Sequence, residues 1–254
     1  MIILRRFGAP LVGIVGFLVV WEAFVRVFDV RKFVLLAPSK ILSELFNAPG
    51  FYWDNTLITA GHMLLGLAIS VVVSILVGAV LSSSRFAEEA AQPVLILVLV
   101  TPWVAYFASV KQWLGLGMSP IIFLAAFTAF PVLTFGVIGG MKSADPAARE
   151  LLASVDARPW EVFWFLRLPA ALPSIFTTAR FALGISLAAT YYSETRMNRT
   201  TGLGAIGSRV EFRPLTAAEV LWTTVFCTAS LGILGLVAIS AAERVLLKWH
   251  ASQR

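Results

Sequence analysis

Three patterns in this sequence spell chemistry when each is read alone. Residues 202–207, Gly202-Leu203-Gly204-Ala205-Ile206-Gly207, form GxGxxG, the turn whose glycines let a pyrophosphate rest on a helix N-terminus after a β-strand. Here an apolar, helix-length run precedes the pattern, so its βαβ setting is missing. Residues 136–143, GVIGGMKS, approximate a phosphate-binding loop, but Met141 stands where that loop needs glycine. Glu150, Asp156 and Glu161 offer carboxylates for acid/base work, yet arginines stand beside them and no histidine or nucleophile accompanies them. They read as a solvated helical face. His62 has no second His, Cys or carboxylate at metal-ligand spacing and reads as a satisfied polar residue. The single Cys227 excludes an intramolecular disulfide and a cysteine metal site. The chain is therefore expected to be no enzyme and to hold no catalytic residue, cofactor or metal of its own.

The elements that must position these residues are membrane helices. Hydrophobic residues make up 59% of the 254 residues and charged ones 13%, against about 25% charged in an ordinary soluble domain. Several apolar runs exceed the ~18 residues that suggest a span, and the ~10-residue alternating segments of a membrane β-barrel are absent. The expected fold class is all-α: a polytopic membrane helical bundle, one domain over residues 1–254, with six spans near 8–28, 57–82, 93–110, 120–141, 170–192 and 220–244. The first run is too long, and lacks a clear cleavage site, for a signal peptide. Within this frame Glu22 and Arg26 are spaced to pair on one helix face, and Ser39 is expected to cap a short amphipathic helix. Pro102 should kink the third span and Pro131 lies inside the fourth. Gly136 and Gly140 make a GxxxG suited to close helix approach. Arg180 is the lone ionisable residue well inside a span.

An even number of spans puts both termini on one side. Lysines and arginines hardly decide which, with ten on the side of the termini and nine on the other. Arg5 and Arg6 ahead of the first span favour cytoplasmic termini. The net charge of +6 suits anionic headgroups or an anionic solute, and no folded soluble portion is available for nucleic acid.

Between the fourth and fifth spans lies a charged island, residues 142–169, with both signs too dense for hydrocarbon. Ser143 or Asp145 can cap a helix with Pro146 in its first turn. Asp156 offers a turn, and residues 159–166 form a second short helix with Trp160, Phe163 and Trp164 on one face. Such a hairpin suits a partner protein or the membrane surface.

The pattern Glu150, then Asp156-Ala157, then Leu168-Pro169 and AALPSI resembles the EAA motif of permease subunits of bacterial ATP-binding-cassette importers. Ala37-Pro38-Ser39, Glu194 and Gly202-Leu203-Gly204 resemble the branch that imports nitrate, sulfonates and taurine. The resemblance covers residues 21–244. This chain has Leu151 and Leu152 where that family has small residues, Asp156 where it has glycine, and TRMNRTT in place of its usual polar run after Glu194. If the turn at Asp156 is left-handed, aspartate tolerates it at a cost on the order of 1 kcal/mol.

The resemblance implies an importer subunit in the bacterial cytoplasmic (inner) membrane that works as a homodimer. Two separate ATPase subunits, carrying ATP and Mg, would dock on the cytoplasmic loop through Glu150, Asp156, Ala157, Arg158, Trp160, Phe163, Leu168 and Pro169. A soluble or lipid-anchored binding protein would deliver a small solute, anionic or pyrimidine-like, from outside. The outer gate and solute path are expected around Glu194, Gly202, Leu203, Gly204, Tyr191, Tyr192 and Arg180. The alternative is a secondary transporter driven by an ion gradient, which would need paired intramembrane ionisable residues and inverted repeats. A membrane scaffold that uses the island only for docking is a third reading.

Overall fold

Proline marks where most helices of this chain begin. It occupies the first turn of α2 (Pro38–Asn47), α3 (Pro49–Leu81), α6 (Ser119–Lys142), α7 (Pro146–Ser154), α8 (Pro159–Val162) and α9 (Leu168–Arg196), where its missing N–H costs little. The others are α1 (Ile2–Val27), α4 (Arg85–Val100), α5 (Phe107–Leu114), α10 (Leu203–Val210) and α11 (Ala218–Leu246). This computed structural model describes residues 2–197, 201–211, 213 and 215–247, with side chains for residue 8 and from residue 12 onward. The side chains of Arg5 and Arg6, and Arg199, Lys248 and Arg254 with the middle of TRMNRTT, lie outside the described residues.

Among the described residues, four helices are long and apolar enough to cross a membrane: Pro49–Leu81, Ser119–Lys142, Pro159–Arg196 and Ala218–Leu246. The segments Arg85–Val100 and Trp103–Leu114 make a fifth if they are one span, but they are bent by 86°. The expected kinked third span, 93–110, is thus a break. Thr101 is extended, because a residue before proline is driven out of the α region. The fifth span also starts earlier than 170. α8 runs through a π turn, Phe163–Arg167, into α9, so the second short helix expected in the island is the head of a 38-residue helix. The π turn sits just ahead of Pro169. Leu168 N–H bonds Phe163 O, and this wider turn makes room where a proline ring would crowd the preceding carbonyls.

The core is a three-helix contact of α3, α6 and α9. α6 is at the centre, with 67% of its span window buried, whereas α11 has 11%. Met63, Leu67, Ala129, Leu133, Ala182, Leu183 and Leu187 fill the contact. As its spacing predicted, the GxxxG is where helices meet: a Cβ on Gly136 would overlap Thr178, and one on Gly140 would lie 2.7 Å from the Ala171 backbone. Small residues there let two backbones approach, which is the main source of packing energy in lipid. Ser174 Oγ uses that closeness to donate to Gly136 O at 2.8 Å.

α1 lies at the edge. Trp21 meets Trp222 of α11 edge-on at 6.3 Å, and Glu22 reaches α2. Glu22 pairs with Arg26 as its spacing predicted, but it does more. Its carboxylate accepts the Ser39 N–H at 3.0 Å and the Ser39 hydroxyl at 2.7 Å. Ser39 therefore does not cap α2. Ala37 is the N-cap residue without a side-chain bond, and a carboxylate from another helix satisfies the first turn instead. Its negative charge suits the helix N-terminus.

Candidate functional site

Two regions bear the residues singled out by the sequence. The first is the island. Asp145, and not Ser143, caps α7, its carboxylate accepting the Ala147 N–H at 2.9 Å. α7 then ends in a Schellman turn. Asp156 has φ +53°, its N–H bonds Ala153 O at 3.2 Å, and Ala157 N–H bonds Leu152 O at 3.0 Å. That is the 5→2 and 6→1 pair that usually demands glycine. Asp156 takes the left-handed conformation in the glycine's place. Arg158 starts the next helix in extended conformation, and Glu161 accepts the Arg158 N–H at 2.6 Å, closing the hairpin.

The aromatic face expected there is split. Phe163 and Leu168 pack on Val137, Met141 and Ala171, anchoring the hairpin to the bundle. Trp160 and Trp164 point away, 55% and 56% exposed, and Leu151 on α7 and Val155 just after it are 67% and 66% exposed. Glu150 is exposed on the same short helix, and Pro169 lies in the first turn of α9. Lys142, at the end of α6, bonds both carboxylate oxygens of Glu88 near the start of α4 at 2.8 and 3.0 Å. The polar turn after the second long helix and the island therefore share one end of the bundle.

The second region lies at the opposite end of α9. Glu194 has no exposed surface, which for a carboxylate demands full compensation. Its Oε2 accepts the Thr59 hydroxyl at 2.8 Å and the Gly204 N–H at 3.0 Å, and its Oε1 takes His62 Nδ1 at 2.8 Å. Thr59 Oγ1 in turn accepts the Leu203 N–H at 2.9 Å, and Asn55 Oδ1 accepts the Gly202 N–H at 2.7 Å. Three successive amides at the start of α10 are thereby held by Asn55 and Thr59 of α3 and Glu194 of α9.

The glycines of the GxGxxG pattern serve this packing. Gly202 has φ +104°, and a Cβ there would lie 2.7 Å from Glu194 Oε2. A Cβ on Gly204 would overlap the Tyr191 carbonyl oxygen, and one on Gly207 the Tyr191 hydroxyl. Residues 203–207 are all buried. The arrangement clamps a short buried helix between three longer ones.

Tyr191 and Tyr192 diverge. Tyr191 faces α10 and α11, its hydroxyl 3.4 Å from Thr224 Oγ1. Tyr192 lies among Trp103 at 5.3 Å and Phe107 at 5.9 Å, with the Arg196 guanidinium 5.5 Å from its ring centre. Arg180 is far down α9 and is not alone, since it pairs with Glu243 of α11. The sequence counted Arg180 as a lone intramembrane charge. Two pairs exist instead, Arg180 with Glu243 and His62 with Glu194, and separations of 63 and 132 residues hid them. His62 is satisfied, as expected, but its partner and the roles of Asn55 and Thr59 were missed. The available signal was their spacing, i, i+4 and i+7 on one face of an otherwise apolar helix. Among the described residues no group of three or more His, Cys, Asp or Glu could hold a metal.

Known proteins resemble this chain over most of its length. It is 26% identical to the formylaminopyrimidine transport permease protein ThiX of Halalkalibacterium halodurans, over 93% of each chain. It is also 26% identical to the riboflavin transport system permease protein RibX of Chloroflexus aurantiacus, over 98% of this chain and 94% of that one. The taurine transport system permease protein TauC of Escherichia coli matches at 26% over 92% and 86%. In fold, the chain is similar to one in an inward-facing structure of the MetNI methionine ABC transporter, with a TM-score of 0.65 and 18% identity over 79% of this chain and 98% of that one. None of these comparisons supports an ion-gradient carrier. A family profile described as "Binding-protein-dependent transport system inner membrane component" matches residues 70–247, and the chain belongs to that family, as a membrane-spanning permease subunit of an ATP-driven importer.

Proposed function

We propose that the chain works as a homodimer of six-span subunits, as a single domain, with both termini and the island in the cytoplasm. Two ATPase subunits that carry ATP and Mg dock on the island, and a soluble or lipid-anchored binding protein delivers the solute outside. The observation that carries this reading is the exposed apolar face of the hairpin, Leu151, Val155, Trp160 and Trp164, beside charges that keep it out of hydrocarbon. A groove on an ATPase would bury that face. Glu150, Asp156, Ala157 and Arg158 set its shape, while Phe163, Leu168 and Pro169 tie it to α9, so that a push on the hairpin moves the whole helix.

At the far end of that helix, Glu194 with Gly202, Leu203 and Gly204 forms the outer gate. Tyr191 backs it and Tyr192 faces the path. Arg180 supports the wall through Glu243 instead of presenting a free charge. The relatives are named for formylaminopyrimidine, riboflavin and taurine, which supports a small solute, either pyrimidine-like or anionic. The test is recovery of the C-terminally tagged chain from its native membrane, beside a Glu150→Ala control. An ATPase subunit recovered with the intact chain and reduced in the control is the expected result. Recovery of the chain alone, under conditions that preserve other membrane complexes, refutes the docking.

A further inference from the structure

Glu194 is the only carboxylate buried among the described residues, and it sits where three helices meet. Hydroxyl and amide donors share its charge but do not cancel it, and a buried anion without a countercharge is costly even when hydrogen-bonded. The groups that face this point from each element offer one basic side chain in contact with it. α6 carries no titratable side chain before Lys142 at its far end. On α9, Tyr191 is nearest and its hydroxyl lies against Thr224, while the Arg196 guanidinium lies over Tyr192. Arg209 on α10 and Glu211 just after it are exposed, as is Asp54 on α3. Glu44 of α2 takes the Tyr52 hydroxyl at 3.0 Å, and Glu219 of α11 pairs with Lys32. His62, 6% exposed at its side chain and 2.8 Å from Oε1, is the remaining contact.

We infer that His62 is a positioning residue of the transport cycle: as an imidazolium it neutralises Glu194 and thereby pins the start of α10 to α3. The charge is held on α3, the carboxylate on α9 and the Gly204 N–H on α10, so the imidazolium completes a latch that Asn55 and Thr59 begin at residues 202 and 203. Loss of its proton leaves a buried anion facing a neutral ring, and the carboxylate is drawn toward water, away from the Gly204 N–H and the Thr59 hydroxyl that donate to it. Histidine changes charge within the physiological range, unlike arginine or lysine. A latch built on it is sensitive to pH where one built on arginine is not.

The test is amide hydrogen exchange on the full chain in lipid nanodiscs, comparing residues 202–204 with the amides of α6 in the same sample. His62→Gln keeps a donor and loses the charge, whereas His62→Arg keeps the charge. The expected result is exchange at residues 202–204 about tenfold or more faster in His62→Gln, near the native rate in His62→Arg, and unchanged in α6. Raising the pH through the imidazole range should release these amides, relative to α6, in the native chain but not in His62→Arg. Equal protection in native and His62→Gln chains overturns the inference, as does equal loss in both variants. Should the variants fail to fold, seen as lost protection in α6, the native chain decides alone: no pH-dependent release at residues 202–204 refutes the latch. No solute or ATPase enters this measurement, so its outcome is independent of whether α10 is the outer gate.

Discussion

Arg180 on α9 and Glu243 on α11 form an ion pair across the two helices, with side chains 33% and 17% exposed. Leu231 and Ile239 of α11 also pack on the core that holds Leu183 and Leu187 of α9, so the pair adds a charged link to an apolar contact between the two helices. Removing one partner leaves the other half-buried and uncompensated. Arg180→Met should therefore destabilise the chain by about 1–3 kcal/mol, below the full cost of a fully buried pair because water still reaches it. Arg180→Met with Glu243→Leu should recover much of that loss. Thermal unfolding of the purified variants in detergent checks both, and a double variant worse than the single would refute the account.

Gly204 cannot accept a side chain where it stands. A Cβ there overlaps the Tyr191 carbonyl oxygen and lies 2.8 Å from Glu194 Cβ, and a backbone carbonyl cannot swing aside as a flexible side chain can. Gly204→Ala should cost about 1–3 kcal/mol by overpacking and loosen α10 first. Limited proteolysis between α9 and α11, set beside the thermal midpoint, reads this. Resistance equal to the native chain would show that the clamp tolerates the methyl.

Asp156 holds a left-handed conformation that glycine adopts freely. Asp156→Gly should leave the hairpin unchanged or stabilise it by up to about 1 kcal/mol. Asp156→Val places a β-branched residue at positive φ and should cost about 1–2 kcal/mol, because that region is nearly closed to it. Thermal unfolding gives the ordering Gly, Asp, Val, and any other ordering contradicts the turn described here.

Trp160 and Leu151 make an exposed face, whereas Phe163 is an anchor. Trp160→Ala and Leu151→Ala should shift the stability of the chain alone by no more than about 0.5 kcal/mol, as surface changes do, while reducing the ATPase recovered with the tagged chain. Phe163→Ala should cost about 2–4 kcal/mol, scaled down from full burial because the ring is partly exposed. If Trp160→Ala destabilised the chain as much as Phe163→Ala, the division between docking face and anchor would be wrong.

Surface charge at the island end should matter little. Lys142 and Glu88 bond at 2.8 and 3.0 Å, but the lysine side chain is 56% exposed. Lys142→Met should cost under about 1 kcal/mol, and less at high salt. Thermal midpoints at low and high salt give the comparison, and a loss of several kcal/mol would mean that the pair holds α4 in place.

The sequence by itself determined what depends on local spacing. Apolar run lengths specified membrane helices, proline marked their starts, and Asp156 after a helix-forming run announced a turn. Glu22 and Arg26 were legible as a pair because they are four residues apart. What only the tertiary structure decided depends on contacts between distant segments. The bond from Glu22 to Ser39, the pair of Arg180 with Glu243, and the convergence of Asn55, Thr59, His62 and Glu194 on residues 202–204 all join helices whose order in the chain says nothing of their adjacency. The 86° break after α4 and the π turn before Pro169 were hidden for a different reason. A proline states that a helix must adjust, whereas the form of the adjustment is set by the neighbours against which it packs. The GxGxxG of residues 202–207 belongs to this second class: its glycines are required by the closeness of Tyr191 and Glu194, which no local pattern encodes.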